Sequence, residues 1–321
     1  MSPRKEKIRP VFEAQVEKLD AEGRGVARRD GKVVFIQGAL PGETVTYEQI
    51  RNKPSYEIGI VKEILTASEL RVEPACPNFG IGPGTCGGCV MQHLDARAQV
   101  DFKQTVLTDA LWHIGKVTPE SILPPIVGEF WGYRHRARLT VRNVAKKGGI
   151  LVGFHEKSSS YVADMTECRI LPQKVSDMLP AMRELVGSLT IAERLPQIEV
   201  AVDGDSLGTF VAMDILEPLT DEDTAKIEAF AQAQNVDIWL QPKGPDSAYP
   251  MHPQARDRLK LKLEAFDVAI SFKPTDFTQV NHRVNREMVS RAIDLLDVKP
   301  EHHVADFFCG LGNFTLPLAR C

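Results

Sequence analysis

The chain has 321 residues, of which 43% are hydrophobic and 26% charged, a balance typical of a globular protein of about two domains. This composition excludes collagen, a disordered tail and a bundle of membrane helices, since no run approaches the ~18 apolar residues that a span needs. The net charge of −4 hides an asymmetry: residues 1–150 hold 22 Lys and Arg against 17 Asp and Glu, whereas residues 151–321 hold 17 against 26. An acidic protein of this kind can still present a basic surface.

The chain begins with MSPRKEKIRP, which is charged and has no apolar core behind it. A secretory signal needs such a core, so we expect a cytoplasmic protein that does not enter a membrane. Cysteines stay reduced in that compartment, and the six cysteines of the chain therefore favour a metal site over disulfides.

Residues 11–65 predict a small β-barrel. Five short runs of β-branched and aromatic residues fit strands, and Asp30-Gly31 and Pro41-Gly42 fit tight turns between them. Short strands at this density suit a small closed barrel. An SH3-like barrel with no nucleic-acid role explains the strands equally well.

Residues 74–92 form a loop rich in cysteine, glycine and proline, followed at 94–114 by the apolar spacing of a helix. Cys76, Cys86 and Cys89 lie in this loop, and Cys168 follows after 78 intervening residues. Four thiolates hold either an iron–sulfur cluster or zinc, and we favour the cluster because zinc ligands usually come as two close pairs. Unmetallated thiols, or a cluster that only staples the loop, remain alternatives.

Residues 131–215 mix strands and helices. Two strand-like runs flank KKGG, an apolar stripe from Val175 to Leu189 predicts a buried helix face, and TDED at 220–223 predicts a helix start. Beyond a connector at 242–260, rich in Pro, Lys and Arg, a loop and helix at 277–298 precede HHVADFF. For HHVADFF we predict a buried strand.

Residues 133–142, YRHRARLTVR, place basic side chains on one face of a predicted strand. With a period of two, this face holds Arg134, Arg136, Arg138 and Arg142, and no acidic residue falls between 130 and 155. Four arginines on one face favour contact with phosphate groups. The alternative is a solvated strand paired with acids from elsewhere. We expect His135, on the opposite face, to be packed.

The sequence HVADFFCGLGN at 303–313 predicts a strand that ends in a glycine turn ahead of a helix. Gly310 and Gly312 let the backbone approach a nucleotide-like ligand. The third glycine of the dinucleotide fingerprint is absent, with Asn313 in its neighbourhood, so the turn fits S-adenosylmethionine better than NAD.

Three motifs in this order, CPNFGIGPGTCGGCVMQHL, DFTQVN and VADFFCGLGNFTLPLA, resemble the RNA uracil-5-methyltransferase family over nearly the whole chain. The likeness is greatest to the branch that methylates uracil 1939 of 23S ribosomal RNA. It implies a TRAM domain (an OB-like RNA-binding module), a [4Fe–4S] cluster, S-adenosylmethionine as methyl donor, and 23S ribosomal RNA as the partner of a monomeric enzyme. The alternatives are an enzyme for another rRNA or tRNA uracil, and a non-catalytic RNA-binding iron–sulfur or zinc protein.

The resemblance also assigns residues. The four cluster ligands fall on Cys76, Cys86, Cys89 and Cys168, although nine residues separate the first two where the family pattern has five. We interpret the difference as a longer loop. The family's cofactor contacts, together with the glycine turn, fall on Gln279, Asp306, Phe308, Gly310, Gly312 and Asn313.

We therefore expect a multidomain α/β protein. It would have an OB-like TRAM barrel at 1–66, a mixed α/β iron–sulfur domain at 67–262, and the opening of a Rossmann-like methyltransferase domain at 263–321. The family's nucleophilic cysteine and catalytic base lie far downstream of the glycine turn, and neither Cys309 nor Cys321 matches the nucleophile's motif. We assign no catalytic residue and expect the 321-residue chain by itself not to transfer methyl groups.

Overall fold

The computed structural model describes residues 9–204 and 208–321. The chain divides into two compact units: Met1–Pro125 with Glu156–Ser159, and Ile126–His155 with Ser160–Cys321. The three domains expected from the sequence divide the chain differently from these two units, and that division stays a prediction. The first eight residues of the expected barrel lie outside the described part. Within the described ranges, every helix is too short or too polar to cross a membrane.

The first unit opens with a β-sheet in the region where we predict a barrel. Its strands are β1 (Val11–Gln15), β2 (Lys18–Leu19), β3 (Gly25–Arg29), β4 (Lys32–Gln37), β5 (Thr44–Asn52) and β6 (Tyr56–Thr66). They form one sheet in the order β1-β5-β6-β4-β3-β2, in which only β4 and β6 run parallel. β1 and β2 are consecutive stretches of one segment and form the two ends of this order, β1 beside β5 and β2 beside β3.

The two predicted turns of the barrel are confirmed. Asp30 and Gly31 have φ of 50° and 77°, which a type I′ hairpin requires, and Gly42 has φ of 83° after Pro41. Alternate strand residues, together with two residues just beyond strand ends, form an apolar core: Ala14, Val16, Ala27, Val34, Ile36, Ala39, Val45 and Tyr47.

A buried carboxylate ties the barrel to the chain that follows it. Glu43 is 0% exposed and accepts hydrogen bonds from Nε and Nη2 of Arg71 at 2.6 and 2.9 Å. It also accepts from the backbone N–H groups of Leu40 and Ser68. Burial raises the pKa of Glu43, but these hydrogen bonds outweigh burial and the pKa is lowered overall. Glu43 is therefore a charged group in the interior of the first unit.

The cysteine loop has little regular secondary structure, as predicted, and α1 (Ala96–His113) follows it. Asp95 caps this helix, since its Oδ1 accepts from the N–H groups of Arg97 and Ala98 at 2.9 and 3.1 Å. Gly115 follows the helix end, where its N–H donates to the carbonyl of Ala110 at 3.0 Å. All residues of α1 are described and none is buried.

A six-stranded sheet forms the centre of the second unit. Its strands are β7 (Arg136–Val144), β8 (Gly149–Gly153), β9 (Gln197–Val202), β10 (Thr209–Asp214), β11 (Asp237–Gln241) and β12 (Tyr249–Pro250). The order is β12-β11-β10-β9-β7-β8, and only β10 and β11 run parallel.

Two helices accompany this sheet, α2 (Gln173–Ser188) and α3 (Asp221–Gln234). The predicted apolar stripe around α2 is buried, as expected: Val175, Met178, Leu179, Met182, Leu185, Val186 and Leu189. The predicted start of α3 is also confirmed, because Thr220 and Asp223 form a reciprocal capping box.

Side chains alternate along β10, so that Phe210 and Ala212 lie on the face opposite to Val211 and Met213. On the face of Phe210, an apolar core brings together Trp239, the hairpin of β13 (Leu259–Leu263) and β14 (Val268–Phe272), and α4 (His282–Leu296). The short helix α5 (Thr315–Leu318) follows, and Leu311, Phe314 and Leu318 pack against this core.

Two expectations for this region need correction. The predicted buried strand HHVADFF is wrong: residues 302–306 have no regular secondary structure, and Val304, Phe307 and Phe308 are exposed. A parallel strand is buried only when neighbouring strands flank it, and in the described part of the chain no strand pairs with this segment. The β13–β14 hairpin was missed, although the alternation in LKLKL is a strand pattern.

Candidate functional site

A cleft of about 180 Å³ lies in the second unit beside the β13–β14 hairpin. Segment 277–279, which follows β14, forms one wall and the glycine turn forms another. Five of the six predicted cofactor residues line this one cleft: Gln279, Asp306, Phe308, Gly310 and Asn313. Gly312 lies within the same turn but is not among the lining residues.

The glycine turn depends on backbone conformations that favour glycine. Gly310 has φ of 57° and Gly312 has φ of 87°. A Cβ on Gly312 would lie 2.9 Å from Cγ of Leu316, whereas a Cβ on Gly310 would meet nothing within 4 Å. The N–H of Gly312 donates to the carbonyl of Cys309 at 2.9 Å and closes the turn.

Phe308 and Asp306 line the cleft just before the glycine turn. Phe308 has φ of 61°, which is uncommon for a residue with a side chain, and its ring is fully exposed. Strained residues of this kind cluster at ligand sites. Asp306 is held in place because its Oδ2 accepts from Oγ1 of Thr315, at the start of α5, at 2.6 Å.

A pair of amides joins the turn to α4, and the sequence did not predict it. Nδ2 of Asn285 donates to Oδ1 of Asn313 at 2.9 Å, and Nδ2 of Asn313 donates to Oδ1 of Asn285 at 2.9 Å. Asn285 is only 1% exposed, while Asn313 also lines the cleft. The second asparagine of VNHRVN, one helical turn after the first, is the only signal that could have pointed to this pair.

The cysteine loop of the first unit brings three thiols into electrostatic contact. Burial is the largest influence on the Cys86 thiol and raises its pKa, and the neighbouring Cys89 and Cys76 raise it further. A hydrogen bond from the N–H of Gly88 and the nearby ammonium of Lys157 act in the opposite direction. The residues that form this neighbourhood come from the loop and from segment 156–159.

Lys157 and His93 both contact the ring of Phe79 in the cysteine loop. The Lys157 ammonium lies 5.2 Å from the ring centroid of Phe79 and donates to the carbonyl of Gly80 at 3.2 Å. Burial lowers the pKa of Lys157, and the thiols of Cys89 and Cys86 raise it. Burial is the larger influence, so the pKa is lowered overall. The sequence did not indicate Lys157, because it is 77 residues from Gly80.

His93 stacks on Phe79, with ring centroids 5.7 Å apart and the planes 27° from parallel. Its side chain is 2% exposed, and neither ring nitrogen has a hydrogen-bond partner within the described part of the protein. Burial, followed by the positive charges of Arg71 and Lys157, lowers the pKa of His93 to about 4. The imidazole is therefore neutral at physiological pH.

The fourth predicted thiol, Cys168, is buried in the second unit, where its N–H donates to Oγ of Ser176 at 2.9 Å. Across residues 9–204 and 208–321, no three His, Cys, Asp or Glu side chains come together in a way that could hold a metal ion. The four-cysteine site stays a prediction.

The basic strand alternates as predicted, with Ala137, Leu139 and Val141 of β7 buried. The packed histidine is also confirmed: the His135 ring stacks on that of His282 with centroids 4.3 Å apart.

The arginines of this strand are not all free for a ligand. Glu199 on the adjacent β9 is buried and pairs with Arg136 at 3.2 Å and with Arg138 at 2.8 Å. Arg134 precedes β7 with its guanidinium 5.7 Å from the Phe154 ring, and Arg142 is exposed. Arg136 and Arg138 therefore follow the alternative interpretation, in which the arginines of the strand pair with acidic residues from elsewhere. Their contact with RNA stays a prediction.

Comparison with known proteins shows which family the chain resembles. Residues 125–321 match the family described as tRNA (Uracil-5-)-methyltransferase, and residues 5–47 match the TRAM domain. The chain is 55% identical over 305 residues to the 23S rRNA (uracil(1939)-C(5))-methyltransferase RlmD of Bordetella avium, covering 95% of this chain and 63% of that protein. It is 55% identical over 311 residues to RlmD of Cupriavidus metallidurans, covering 95% and 65%. The chain thus spans just under two thirds of the length of these relatives.

A solved structure shares the fold. The tRNA (uracil-54, C5)-methyltransferase of Pyrococcus abyssi, in complex with S-adenosyl-L-homocysteine, matches with a TM-score of 0.68 over 96% of this chain and 71% of that chain. The sequence identity is 18%, so this likeness concerns the fold alone. Because the family match takes in more than half of the chain and the relatives cover nearly all of it, the chain belongs to the tRNA (uracil-5-)-methyltransferase family and carries a TRAM domain near its N-terminal end.

Proposed function

We propose that the chain serves the S-adenosylmethionine-dependent methylation of C5 of a uracil in 23S ribosomal RNA, at position 1939. One observation carries this proposal: five residues assigned to the cofactor from the sequence gather in one cleft of a chain that is 55% identical to proteins named for that reaction. The family membership and the fold shared with a methyltransferase support it.

The cleft has the chemistry that S-adenosylmethionine needs. The Asp306 carboxylate suits ribose hydroxyls, and the amides of Gln279 and Asn313 suit the polar groups of the amino-acid part. The exposed ring of Phe308 offers a face for adenine, and Gly310 lets the ligand approach the backbone. We assign these roles, with Gly312 shaping the turn, to the proposed cofactor site. Bound there, the cofactor would supply an electrophilic methyl group.

The reaction asks for two further groups. C5 of uracil is a weak nucleophile, so a cysteine thiolate first adds to C6 and makes an enolate. C5 of the enolate would then take up the methyl group that the bound cofactor supplies. A base then removes the C5 proton and the thiolate is expelled. We assign neither the thiolate nor the base to a residue of this chain.

RNA recognition is proposed to involve the TRAM barrel together with the basic strand. Arg138 and Arg142 are both exposed, but Arg138, like Arg136, is paired with Glu199, and Arg134 lies beside Phe154. We therefore expect Arg142 to contribute most to phosphate contact among the four. The target base would be turned out of its stack to reach the cofactor.

We also propose a [4Fe–4S] cluster on Cys76, Cys86, Cys89 and Cys168. Supporting this are the spacing of the cysteines, the electrostatic contact of the three loop thiols, and the Lys157 ammonium that offsets their negative charge. The polar atoms of the buried His93 ring, which lack a partner among the described residues, also suit a site that accommodates a further group.

Two binding experiments test the enzymatic proposal without requiring turnover. Titration with S-adenosyl-L-homocysteine should show saturable binding, which Asp306→Ala weakens at least tenfold. Gel-shift titration should show tighter binding to a 23S rRNA fragment that contains uracil 1939 than to a tRNA T-arm of equal length. Failure to bind the cofactor product would refute the methyltransferase proposal, and preference for the T-arm would redirect it to tRNA.

Elemental analysis tests the cluster. Protein purified without oxygen should contain iron and acid-labile sulfide in near-equal amounts, and Cys86→Ser should lose most of both. Leu107→Ser, an exposed substitution on α1, serves as the matched control and should retain them. Zinc without sulfide would contradict the cluster.

A further inference from the structure

The amide pair between Asn285 and Asn313 connects a buried helix position to the wall of the cleft. Both hydrogen bonds are 2.9 Å long, and each asparagine is at once donor and acceptor to the other. Asn285 lies on α4, on the same side as the core residues Val289 and Ile293, so its position is fixed by packing. Asn313 is the only one of the two that lines the cleft.

This geometry limits what Asn313 can do. An asparagine side chain has two N–H donors and two carbonyl lone pairs, and the pair consumes one of each. Asn313 therefore keeps one N–H and one lone pair for a ligand, whichever way round both amides are turned. A single flip would bring oxygen to oxygen and nitrogen to nitrogen, so Asn285 locks the amide plane of Asn313.

A buried asparagine is costly unless its polar atoms are satisfied, and an apolar residue on this face of α4 would pack as well as its neighbours do. A polar residue at position 285 is therefore explained by what it does to Asn313. Phe308, Cys309 and Leu316 of the surrounding turn are exposed, so the turn has little other packing at its outer side.

We propose that Asn285 is a positioning residue of the cofactor site, which orients the amide of Asn313 toward the adenosyl cofactor without touching it. This inference rests on the proposed function, since it names the residue that prepares part of that site. The pre-ordered amide binds the cofactor without the entropy cost of ordering a free side chain at the moment of binding.

The test is a double-mutant cycle read by the affinity for S-adenosyl-L-homocysteine. Asn285→Leu should weaken binding about tenfold, because two hydrogen bonds that orient Asn313 are lost. Asn285→Ser keeps a donor and an acceptor and should fall between Asn285→Leu and the native chain. In an Asn313→Ala background, Asn285→Leu should change the affinity less than about twofold, since nothing remains to be oriented.

A matched control separates positioning from folding. Val289→Ala lies on the same helix within the same apolar core and should lower the melting temperature while leaving the affinity unchanged. The ¹H–¹⁵N signals of the Asn313 side-chain amide should be separated and slow to exchange in the native chain, and they should collapse toward those of a free amide in Asn285→Leu and Asn285→Ser.

The outcomes distinguish this inference from the proposed function. Equal affinity in the native chain and Asn285→Ser and Asn285→Leu would overturn the positioning role alone. An undiminished effect of Asn285→Leu in the Asn313→Ala background would also overturn it, because Asn285 would then act by another route. No binding by the native chain would overturn the cofactor site and this inference with it.

Discussion

The cysteine loop of the first unit and the glycine turn of the second are both irregular, glycine-rich segments, and different interactions hold them. Around the cysteine loop lie buried charges and polar rings: the Glu43–Arg71 pair, the Lys157 ammonium and the neutral His93. Around the glycine turn lie an apolar core and a neutral amide pair. The first unit should therefore respond to pH and to the loss of single charges, whereas the glycine turn should respond to backbone and packing changes.

The largest effect should follow the loss of the buried ion pair. Arg71→Met leaves the Glu43 carboxylate buried without its cation, which costs about 3–5 kcal/mol of the stability of the first unit. Amide hydrogen exchange of the barrel strands in native and variant chains measures this loss. Arg9→Met, which removes an exposed pair with Glu48, is the control and should cost less than about 1 kcal/mol. Equal, small losses for both variants would contradict the role of the buried pair.

His93 should make the first unit sensitive to acid. Its pKa is lowered from 6.5 to about 4 in the fold, so the unfolded chain takes up the proton first as the pH falls. The free energy of unfolding of the first unit is therefore highest above about pH 6.5. It decreases as the pH falls toward 4, by up to about 3 kcal/mol.

His93→Phe keeps the stacking on Phe79 and removes the titration, so its stability should be flatter between pH 6.5 and 4. Denaturant titrations at pH 7, 6, 5 and 4 provide the measurement. His113→Phe, at an exposed position of the same unit, should follow the native profile. If His93→Phe kept the native decline, the buried ring would not be its source.

The glycine turn should respond to a methyl group and not to pH. Gly312→Ala forces a left-handed alanine and a contact of 2.9 Å with Leu316, which together should cost about 2 kcal/mol of stability. Gly310→Ala meets no neighbour within 4 Å and should cost about 1 kcal/mol. Thermal unfolding of both variants at pH 7 and pH 5 tests the prediction. Equal losses would mean that the contact with Leu316 relaxes freely.

The smallest effect extends the comparison to the basic strand. Arg142→Ala should lower the slope of log affinity against log salt for an RNA fragment by about one, because one phosphate contact is lost. Arg136→Ala should leave that slope unchanged and instead destabilise the sheet, since it removes one of the two cations that pair with the buried Glu199. Filter binding over a range of salt concentrations separates the two. A reversed result would assign RNA contact to the paired arginine.

Local patterns were enough to predict much of the fold. Asp30-Gly31 requires positive φ at both residues, and the stripe of α2 repeats with the helical period, so each carries its own structure. The prediction for HHVADFF was wrong for a physical reason. Its apolar run predicts a buried strand, but a strand is buried only beside neighbouring strands, and the described part of the chain places none beside it.

The candidate site was predicted only where a motif is contiguous. Gln279 and Asn313 were found through motifs, and the structure brings them to one cleft. Asn285, Lys157 and His93 act through partners far along the chain, or through burial that a lone residue does not reveal. No periodicity marks such contacts, because they arise only when the tertiary fold brings distant segments together.

The first unit is discontinuous, and this has a consequence for the order of synthesis. Segment Glu156–Ser159 belongs to it, and the N–H of Lys157 donates to the carbonyl of Thr85 at 2.9 Å. While the chain emerges from the ribosome, the first sheet can form once β6 is made at Thr66, but the cysteine loop waits for about 90 more residues, including β7 and β8, before Lys157 is made. During that interval its thiols lack the Lys157 ammonium, so delivery of any metal should be most productive after the second unit has begun to fold.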